Sequence, residues 1–152
     1  MIKENINICV IKTKIGNILI ETIENKISKV LPTNKKKSRV IDFPLLRLVK
    51  KEINYFLDGK IFNFSFSLEL KGSNFQKRVW KEIKKIEYGK TTSYLDISKK
   101  VKTSPRAIAR ACSSNKCLFL VPCHRIIYSN GNLGGYLMGE KIKKFILNME
   151  KV

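Results

Sequence analysis

The sequence is poor in histidine and in acidic residues. It holds one histidine and 12 aspartates and glutamates against 31 lysines and arginines, which gives a formal net charge of +19. A charge of this sign and size favours a partner that carries phosphate groups, above all a nucleic acid. Genome composition or growth at high temperature, where extra lysine is common, is an alternative explanation for the charge.

The chain also lacks a hydrophobic run that would cross a membrane. No stretch of about 18 apolar residues occurs, and residues 1–7 are too polar to begin a secretory signal peptide. We therefore expect a cytoplasmic protein with no membrane association. We also expect it to be a monomer.

The cysteines do not follow the spacing of a metal site. Cys112, Cys117 and Cys123 form a C-x4-C-x5-C pattern without the C-x2-C pair that structural zinc sites use. With Cys9 they number four, enough for two disulfides, but a reducing compartment favours free thiols. We expect neither a metal nor another cofactor.

Hydrophobic periodicity predicts an α/β protein of the α+β type with two lobes. In the N-terminal lobe, residues 1–72, β-branched runs predict three strands of an antiparallel sheet, and apolar residues at helical spacing predict one helix. The strands cover residues 5–12, 17–23 and 26–31, the helix runs from Pro44 to about Leu57, and residues 62–70 are a strand or an extended linker.

The second lobe, residues 73–152, is predicted to be mostly helical, with a winged-helix-like helix-turn-helix. Serines at capping positions begin three helices, and the second and third are separated by about three residues. The helices start at Ser73 or Asn74, at Ser93 and at Ser104, and a strand-like segment 118–121 and a C-terminal helix with Ile142, Phe145, Ile146 and Met149 facing inward follow. Residues 77–116 carry 12 basic and 3 acidic side chains, a density typical of a face that contacts phosphates.

One short segment combines a nucleophile with groups that would activate it. A cysteine thiol reacts as the thiolate, which needs a nearby base or positive charge, and Cys123 is followed by His124 and Arg125. Neighbouring side chains in extended backbone point in opposite directions, so His124 would contact Cys123 directly or through a water. A buried structural cysteine beside a satisfied histidine is the alternative on these three residues alone.

The segment from Val121 to Ile127 resembles the active-site signature of the methylated-DNA-protein-cysteine methyltransferases, in which Pro-Cys-His-Arg precedes two aliphatic residues. The resemblance covers about residues 73–150. It extends through matches at Phe75-Gln76, Val79-Trp80, Gly89, Ser93-Tyr94, Ser104 to Ile108, Asn115, Gly134 to Tyr136, Gly139 and Glu150. Residues 1–72 match that family in layout only.

The resemblance implies DNA repair in which Cys123 takes the alkyl group from 6-O-alkylguanine, with 4-O-alkylthymine as a further candidate substrate, once per molecule and irreversibly. It implies that His124 withdraws the thiol proton through a water and that Glu150 orients the imidazole. Asn115 would tie the recognition helix to the active-site segment, and Tyr94 would bond the guanine and turn its phosphate.

The same resemblance implies that duplex DNA carrying an alkylated guanine is the partner, and that the damaged base is flipped out of the helix. Arg106 would fill the space that the base leaves. The implied DNA-binding surface also includes Ser93, Tyr94, Ala107, Ala109 and Arg110. Arg110 is bulkier than the small residues frequent at this position and is expected to contact a phosphate.

The resemblance also locates an alkylguanine pocket, with walls expected from Pro122, Ile126, Tyr136, Leu137 and Met138. Leu137 and Met138 are larger than the residues of some relatives, which predicts a narrowed pocket. The rival functions are a lesion-binding protein without transfer activity, a helix-turn-helix regulator and a thiol hydrolase. The first would lack the nucleophile, and the second would leave Pro122 to Arg125 unexplained.

Overall fold

A computed structural model of the chain describes residues 3–36 and 43–151. The chain divides into two compact units, Met1–Leu70 and Lys71–Val152. Within the described residues, every helix is too short or too polar to traverse a lipid bilayer.

The first unit contains the predicted antiparallel sheet and helix, which are confirmed. Strands β1 (Ile6–Thr13), β2 (Gly16–Ile23) and β3 (Lys26–Pro32) pair in the order β1-β2-β3, and helix α1 spans Pro44–Leu57. Side chains alternate between the two faces of each strand, so one face of the sheet lies in the core. Helix α1 adds apolar side chains at helical spacing to the same core. The fully buried side chains include Ile18, Ile20, Ile27, Val30, Val49, Ile53 and Phe56.

Residues 62–70 form an extended linker, the second of the two predicted alternatives. Leu68 forms an isolated parallel bridge with Ile27 of β3. The Phe64 ring packs against the ring of Phe56 on α1, with centroids 5.2 Å apart. The apolar residues of this segment from Phe64 onward are half-buried without forming a strand, whereas Phe62 is exposed.

The second unit contains the helix-turn-helix. Its elements are α2 (Asn74–Ile83), β4 (Thr92–Ser93), α3 (Tyr94–Val101), α4 (Pro105–Ser113), a 3-10 turn (Cys123–Arg125), β5 (Ile126–Ile127) and α5 (Glu140–Glu150). The hydroxyls of Ser73, Ser93 and Ser104 accept hydrogen bonds from the first turns of α2, α3 and α4, as the capping pattern predicts. Strands β4 and β5 pair in parallel and bring the start of α3 beside the 3-10 turn.

The buried Trp80 joins α2 to α4. It is the single tryptophan of the chain and is 2% exposed. Its indole N–H donates to the carbonyl of Ala111 at 2.8 Å, so the C-terminal part of α4 is fixed against α2.

The strand predicted at residues 118–121 is wrong, because these residues form a buried turn. The Val121 N–H donates to the Cys117 carbonyl at 3.0 Å, and Phe119 adopts a left-handed conformation with φ of 69°. The Asn115 side chain holds the turn at both ends, donating to the Val121 carbonyl and accepting from the Cys117 N–H, each at 2.9 Å. An apolar run resembles a buried strand in sequence, but these side-chain bonds close the backbone into a turn.

The inward face of α5 is also shifted from the prediction. Lys143, Ile146, Leu147 and Glu150 are the buried residues of α5. Phe145 is 39% exposed, while Ile142 and Met149 are half-buried. The prediction followed apolar residues alone, whereas the structure buries two charged side chains at the same helical spacing.

Candidate active site

Cys123 is the first residue of the 3-10 turn, and Asn115 holds its side chain. Its thiol is 7% exposed. The Asn115 side-chain amide donates to Sγ at 3.2 Å while also bonding the Val121 carbonyl. Asn115 therefore joins the end of α4 to the nucleophile, as predicted for this residue.

Behind Cys123, a buried carboxylate connects the next two residues to α5. The His124 Nε2 lies 2.8 Å from the Glu150 carboxylate, and the Arg125 guanidinium donates to both carboxylate oxygens at 2.8 to 3.2 Å. Arg125 also donates to the Ile86 carbonyl at 2.8 Å. Glu150 therefore fixes the plane of the imidazole and presents Nδ1 as the ring nitrogen that faces away from the carboxylate.

The protonation states follow from burial and from these contacts. Burial lowers the pKa of His124 and outweighs the effect of Glu150, so the imidazole is neutral at pH 7. Burial alone would raise the pKa of Glu150, but hydrogen bonds from His124 and Arg125 leave it below its usual value. A neutral imidazole beside an ionised carboxylate is the arrangement that a proton acceptor requires.

The thiol itself is protonated in the absence of a bound substrate. A hydrogen bond with Cys112, together with burial, raises the pKa of Cys123 well above its usual value. The Asn115 amide and the positive charge of Lys143 act in the opposite direction. Attack by sulfur therefore requires that a base take the proton first.

A cavity of about 480 Å³ opens in front of the thiol. It is lined by Tyr94, Ala109, Cys112, Ser113, Leu118, Cys123, Tyr128, Gly135, Tyr136 and Leu137. Of the five residues predicted for the pocket wall, Tyr136 and Leu137 line it. Pro122, Ile126 and Met138 do not line it, because Pro122 and Ile126 are buried in the core and the wall is formed by α3, α4, residues 118–128 and the segment before α5; Met138 is half-buried.

Tyr94 forms one side of the cavity at the start of α3. It is 6% exposed, and its ring packs against Tyr128 with centroids 5.0 Å apart. Burial raises the pKa of Tyr94, so its hydroxyl keeps its proton and remains a donor. A Cβ at Gly134 would lie 3.0 Å from the Tyr94 hydroxyl, so this glycine leaves the room that the tyrosine occupies.

Lys143 lies under the same wall and was missed by the sequence analysis. Its ammonium group is fully buried and donates to the carbonyls of Ile126, Leu133 and Gly135 at 2.6, 2.5 and 3.3 Å. Burial lowers the pKa of Lys143 to about 8, which still leaves it charged at pH 7. The signal was present, because Lys143 lies seven residues before Glu150 on the same face of α5.

The predicted DNA-binding residues lie on α4 and at the junction of β4 and α3. Arg106 and Arg110 are exposed, and Ala107 and Ala109 are half-buried. Ser93 is 9% exposed, and its hydroxyl accepts from the Asp96 N–H at 3.0 Å. The structure therefore uses the Ser93 side chain to cap α3 and does not present it on the surface.

Comparison with known proteins agrees with this arrangement. Residues 74–152 match the family model of the 6-O-methylguanine DNA methyltransferase DNA-binding domain. The chain is 36% identical over 146 residues, 93% of its own length and 95% of the other's, to a probable methylated-DNA–protein-cysteine methyltransferase of Acanthamoeba polyphaga mimivirus. A methylated-DNA–protein-cysteine methyltransferase of Methanocaldococcus vulcanius is 49% identical over 96 residues, which are 63% of this chain and 59% of that protein.

A solved structure extends the similarity to the fold. The crystal structure of Mycobacterium tuberculosis OGT in complex with DNA superposes with a TM-score of 0.83 at 30% identity, covering 93% of this chain and 91% of that one. The match spans 59 to 66% of the length of the three archaeal relatives that are 43 to 49% identical. The chain belongs to the 6-O-methylguanine DNA methyltransferase family.

Proposed function

We propose that this protein repairs DNA by moving an alkyl group from the 6-oxygen of guanine to Cys123, once per molecule. The supporting observation is the buried series Cys123, His124 and Glu150 at one end of a cavity of about 480 Å³. The series supplies a sulfur nucleophile, a neutral base and a carboxylate that orients the base. The cavity supplies space for a base that has left the DNA stack.

The chemistry is a displacement at the alkyl carbon. His124 accepts the thiol proton through a water, and Glu150 stabilises the imidazolium that forms. The Cys123 thiolate then attacks the alkyl carbon, the carbon–sulfur bond forms and the carbon–oxygen bond breaks. Guanine leaves with the electron pair of the broken bond, and the thioether that remains on Cys123 ends the reaction of that molecule.

Tyr94 assists the leaving group. Its hydroxyl keeps its proton because burial raises its pKa, so it donates a hydrogen bond to the guanine as negative charge develops there. Its position in the cavity wall places it beside the same space as Cys123. Asn115 and Lys143 favour the thiolate, and both lower the pKa of Cys123.

Helix α4 presents the residues that we assign to DNA. Arg106 and Arg110 are exposed on this helix, and Ala107 and Ala109 keep its surface narrow between them. We propose that Arg106 occupies the space left by the flipped base and that Arg110 contacts a phosphate. The thiol, the base and α4 all belong to one unit of one chain, which supports action as a monomer, and a free thiol nucleophile suits the reducing cytoplasm.

Intact-mass measurement after incubation with a methylated duplex tests this function. We expect one added methylene mass per chain, mapped by peptide analysis to Cys123. The Cys123→Ser variant is expected to gain no mass while still binding the duplex. Cys9→Ala, which removes a thiol from the other unit, is the matched control and should be methylated like the wild type. Methyl on another cysteine, or none on the wild type, would reject the assignment.

A further inference from the structure

A second thiol lies in the same cavity as Cys123. Cys112, the penultimate residue of α4, lines the cavity wall and is half-buried. Its thiol is near enough to that of Cys123 to raise the pKa of Cys123. Neither residue is in a disulfide, so two reduced thiols line the cavity in which we propose alkyl transfer.

The structure fixes this pair from both sides. The Trp80 indole holds the Ala111 carbonyl, directly before Cys112, at 2.8 Å. Asn115 holds Cys123 through its contact with Sγ at 3.2 Å and through the Val121 carbonyl. Two thiols that line one cavity from separate elements meet the first requirement for a disulfide, which is proximity.

We propose that Cys112 and Cys123 form a redox-active dithiol, which a peroxide converts to a disulfide that blocks alkyl transfer until a thiol reductant reopens it. The blocking effect rests on the proposed function, because the same sulfur would serve both reactions. The disulfide itself does not depend on that function.

The oxidation balances with one peroxide. The thiolate of Cys112, the more exposed of the two residues, attacks one peroxide oxygen; the oxygen–oxygen bond breaks, hydroxide leaves and Cys112 becomes a sulfenic acid. The Cys123 sulfur then attacks the sulfenic sulfur, and its proton leaves with the hydroxyl group as water. The two sulfurs are oxidised and one hydrogen peroxide is reduced to two waters.

The two fates of Cys123 exclude each other. A thioether carries no exchangeable proton and forms no disulfide, so an alkylated molecule is not oxidised at this pair. A disulfide holds no nucleophile, so an oxidised molecule does not consume a lesion. Each molecule transfers one alkyl group, because transfer is irreversible. Oxidation of a cysteine beyond the sulfenic acid is irreversible as well, so a reversible disulfide would protect the Cys123 sulfur from it during oxidative stress.

The test uses the full chain, hydrogen peroxide and intact mass without DNA. We expect the oxidised wild type to lose the mass of two hydrogens and to retain two of its four free thiols. Trypsin cleaves after Arg110, Lys116 and Arg125, so Cys112 falls in one peptide and both Cys117 and Cys123 in the next. Cys117→Ser is therefore the matched control, and it should still give the linked peptides, whereas Cys112→Ser and Cys123→Ser should not.

Activity is compared for each protein before oxidation, after oxidation and after dithiothreitol. The wild type and Cys117→Ser are expected to lose methyl transfer on oxidation and to regain it on reduction. Cys112→Ser should show no loss that the reductant reverses. A wild type with four free thiols after peroxide, a Cys112–Cys117 disulfide or a disulfide between chains would overturn the dithiol. A Cys112–Cys123 disulfide in a protein that never transfers methyl would support the dithiol and reject the proposed function.

Discussion

At the scale of single residues, Glu150 has two roles that are separable in principle. It orients His124 through Nε2, and it neutralises Arg125, whose guanidinium is also largely buried. Without the carboxylate, Arg125 would keep a buried charge with no counter-ion. The proposed catalytic series and the stability of the fold therefore share one carboxylate.

Replacing Glu150 by Gln should destabilise the protein by about 3 to 5 kcal/mol, since removal of one partner leaves a buried charge uncompensated. Urea unfolding at pH 7 measures the change. Glu140→Gln, in the exposed first turn of the same helix, is the control and should cost less than about 1 kcal/mol. Equal effects of the two substitutions would mean that the Glu150 cluster adds nothing to stability.

The same cluster predicts a loss of stability in acid. Glu150 and His124 both have a lowered pKa in the folded protein, so the unfolded chain binds their protons more readily. Their contribution to stability is present above the unfolded pKa values, about 6.5 for His and 4.3 for Glu, and is lost as pH falls through the folded ones. Urea midpoints should therefore decline below about pH 6.5, and the decline below about pH 4.3 should be weaker in Glu150→Gln. Parallel curves for the two proteins would contradict this assignment.

Lys143 gives a second prediction at this scale. Its three carbonyl acceptors belong to β5 and to the segment that carries the cavity wall, so Lys143→Met would leave buried oxygens without a donor. We expect a loss of about 2 to 3 kcal/mol by urea unfolding, since each such group costs about 1 to 3 kcal/mol. Lys144→Met, the exposed neighbour, is the matched control and should be within about 0.5 kcal/mol of wild type. A stable Lys143→Met protein would show that relaxed backbone or water replaces the ammonium group.

At the scale of elements, the turn of the helix-turn-helix contains a strained residue. Lys102 ends α3 in the left-handed region, with φ of 61° and ψ of 57°. The Thr103 N–H donates back to the Ser98 carbonyl at 2.9 Å, which closes the helix in the manner usually supplied by glycine. The turn that sets the angle between α3 and α4 therefore carries a conformational cost in this chain.

Lys102→Gly should stabilise the protein by about 0.5 to 1 kcal/mol. A lysine in the left-handed region costs about 1 to 2 kcal/mol, and the larger backbone entropy that glycine loses on folding offsets part of the gain. Lys100→Gly, two residues earlier and inside the helix, should instead destabilise by about 1 kcal/mol. Thermal unfolding of both variants gives the signs. A lower midpoint for Lys102→Gly would mean that its aliphatic stem packs more favourably than its backbone is strained.

The elements show where sequence patterns were sufficient. The β-branched runs predicted β1 to β3, helical spacing predicted α1 and capping serines predicted α2 to α4, because these signals act within a few residues. The segment 118–121 was predicted as a strand because its hydrogen bonds come from the side chain of Asn115, which hydrophobicity does not report. The inward face of α5 was misplaced because the burial of Lys143 depends on carbonyls from other segments.

In the candidate site too, local motifs were sufficient for some residues and not for others. The resemblance located Cys123, His124, Glu150 and Asn115, and the structure brings all four together. Cys112, whose part in the cavity depends on how α4 packs beside the 3-10 turn, carried no such signal. Local motifs thus predict the reacting groups, whereas the cavity wall requires the tertiary fold.

At the scale of the whole molecule, we expect the net charge of +19 to govern encounters with DNA, the partner that we propose. We expect affinity for duplex DNA to fall steeply with salt, because each phosphate contact releases a condensed counter-ion. Binding measured between about 50 and 200 mM salt gives the slope of log affinity against log salt. Arg110→Gln should reduce that slope by about one, as expected for one phosphate contact.

Lys12→Gln is the control for this measurement. It removes the same charge from an exposed position on β1 and should leave the slope nearly unchanged. Equal reductions in both variants would show that net charge, and no particular contact of α4, sets the salt dependence. A flat dependence in the wild type would argue against phosphate binding altogether.

Trp80 also gives the molecule an internal optical reporter. As the one indole of the chain, it makes the tryptophan emission of the protein arise from a single place, between α2 and the carbonyl that precedes Cys112. Tryptophan fluorescence, excited selectively, would thus report on the environment of α4 without a label or an introduced probe. A change in the wavelength or lifetime of that emission during a reaction at Cys123 would record, in real time, how far modification of the sulfur disturbs the helix that we assign to DNA.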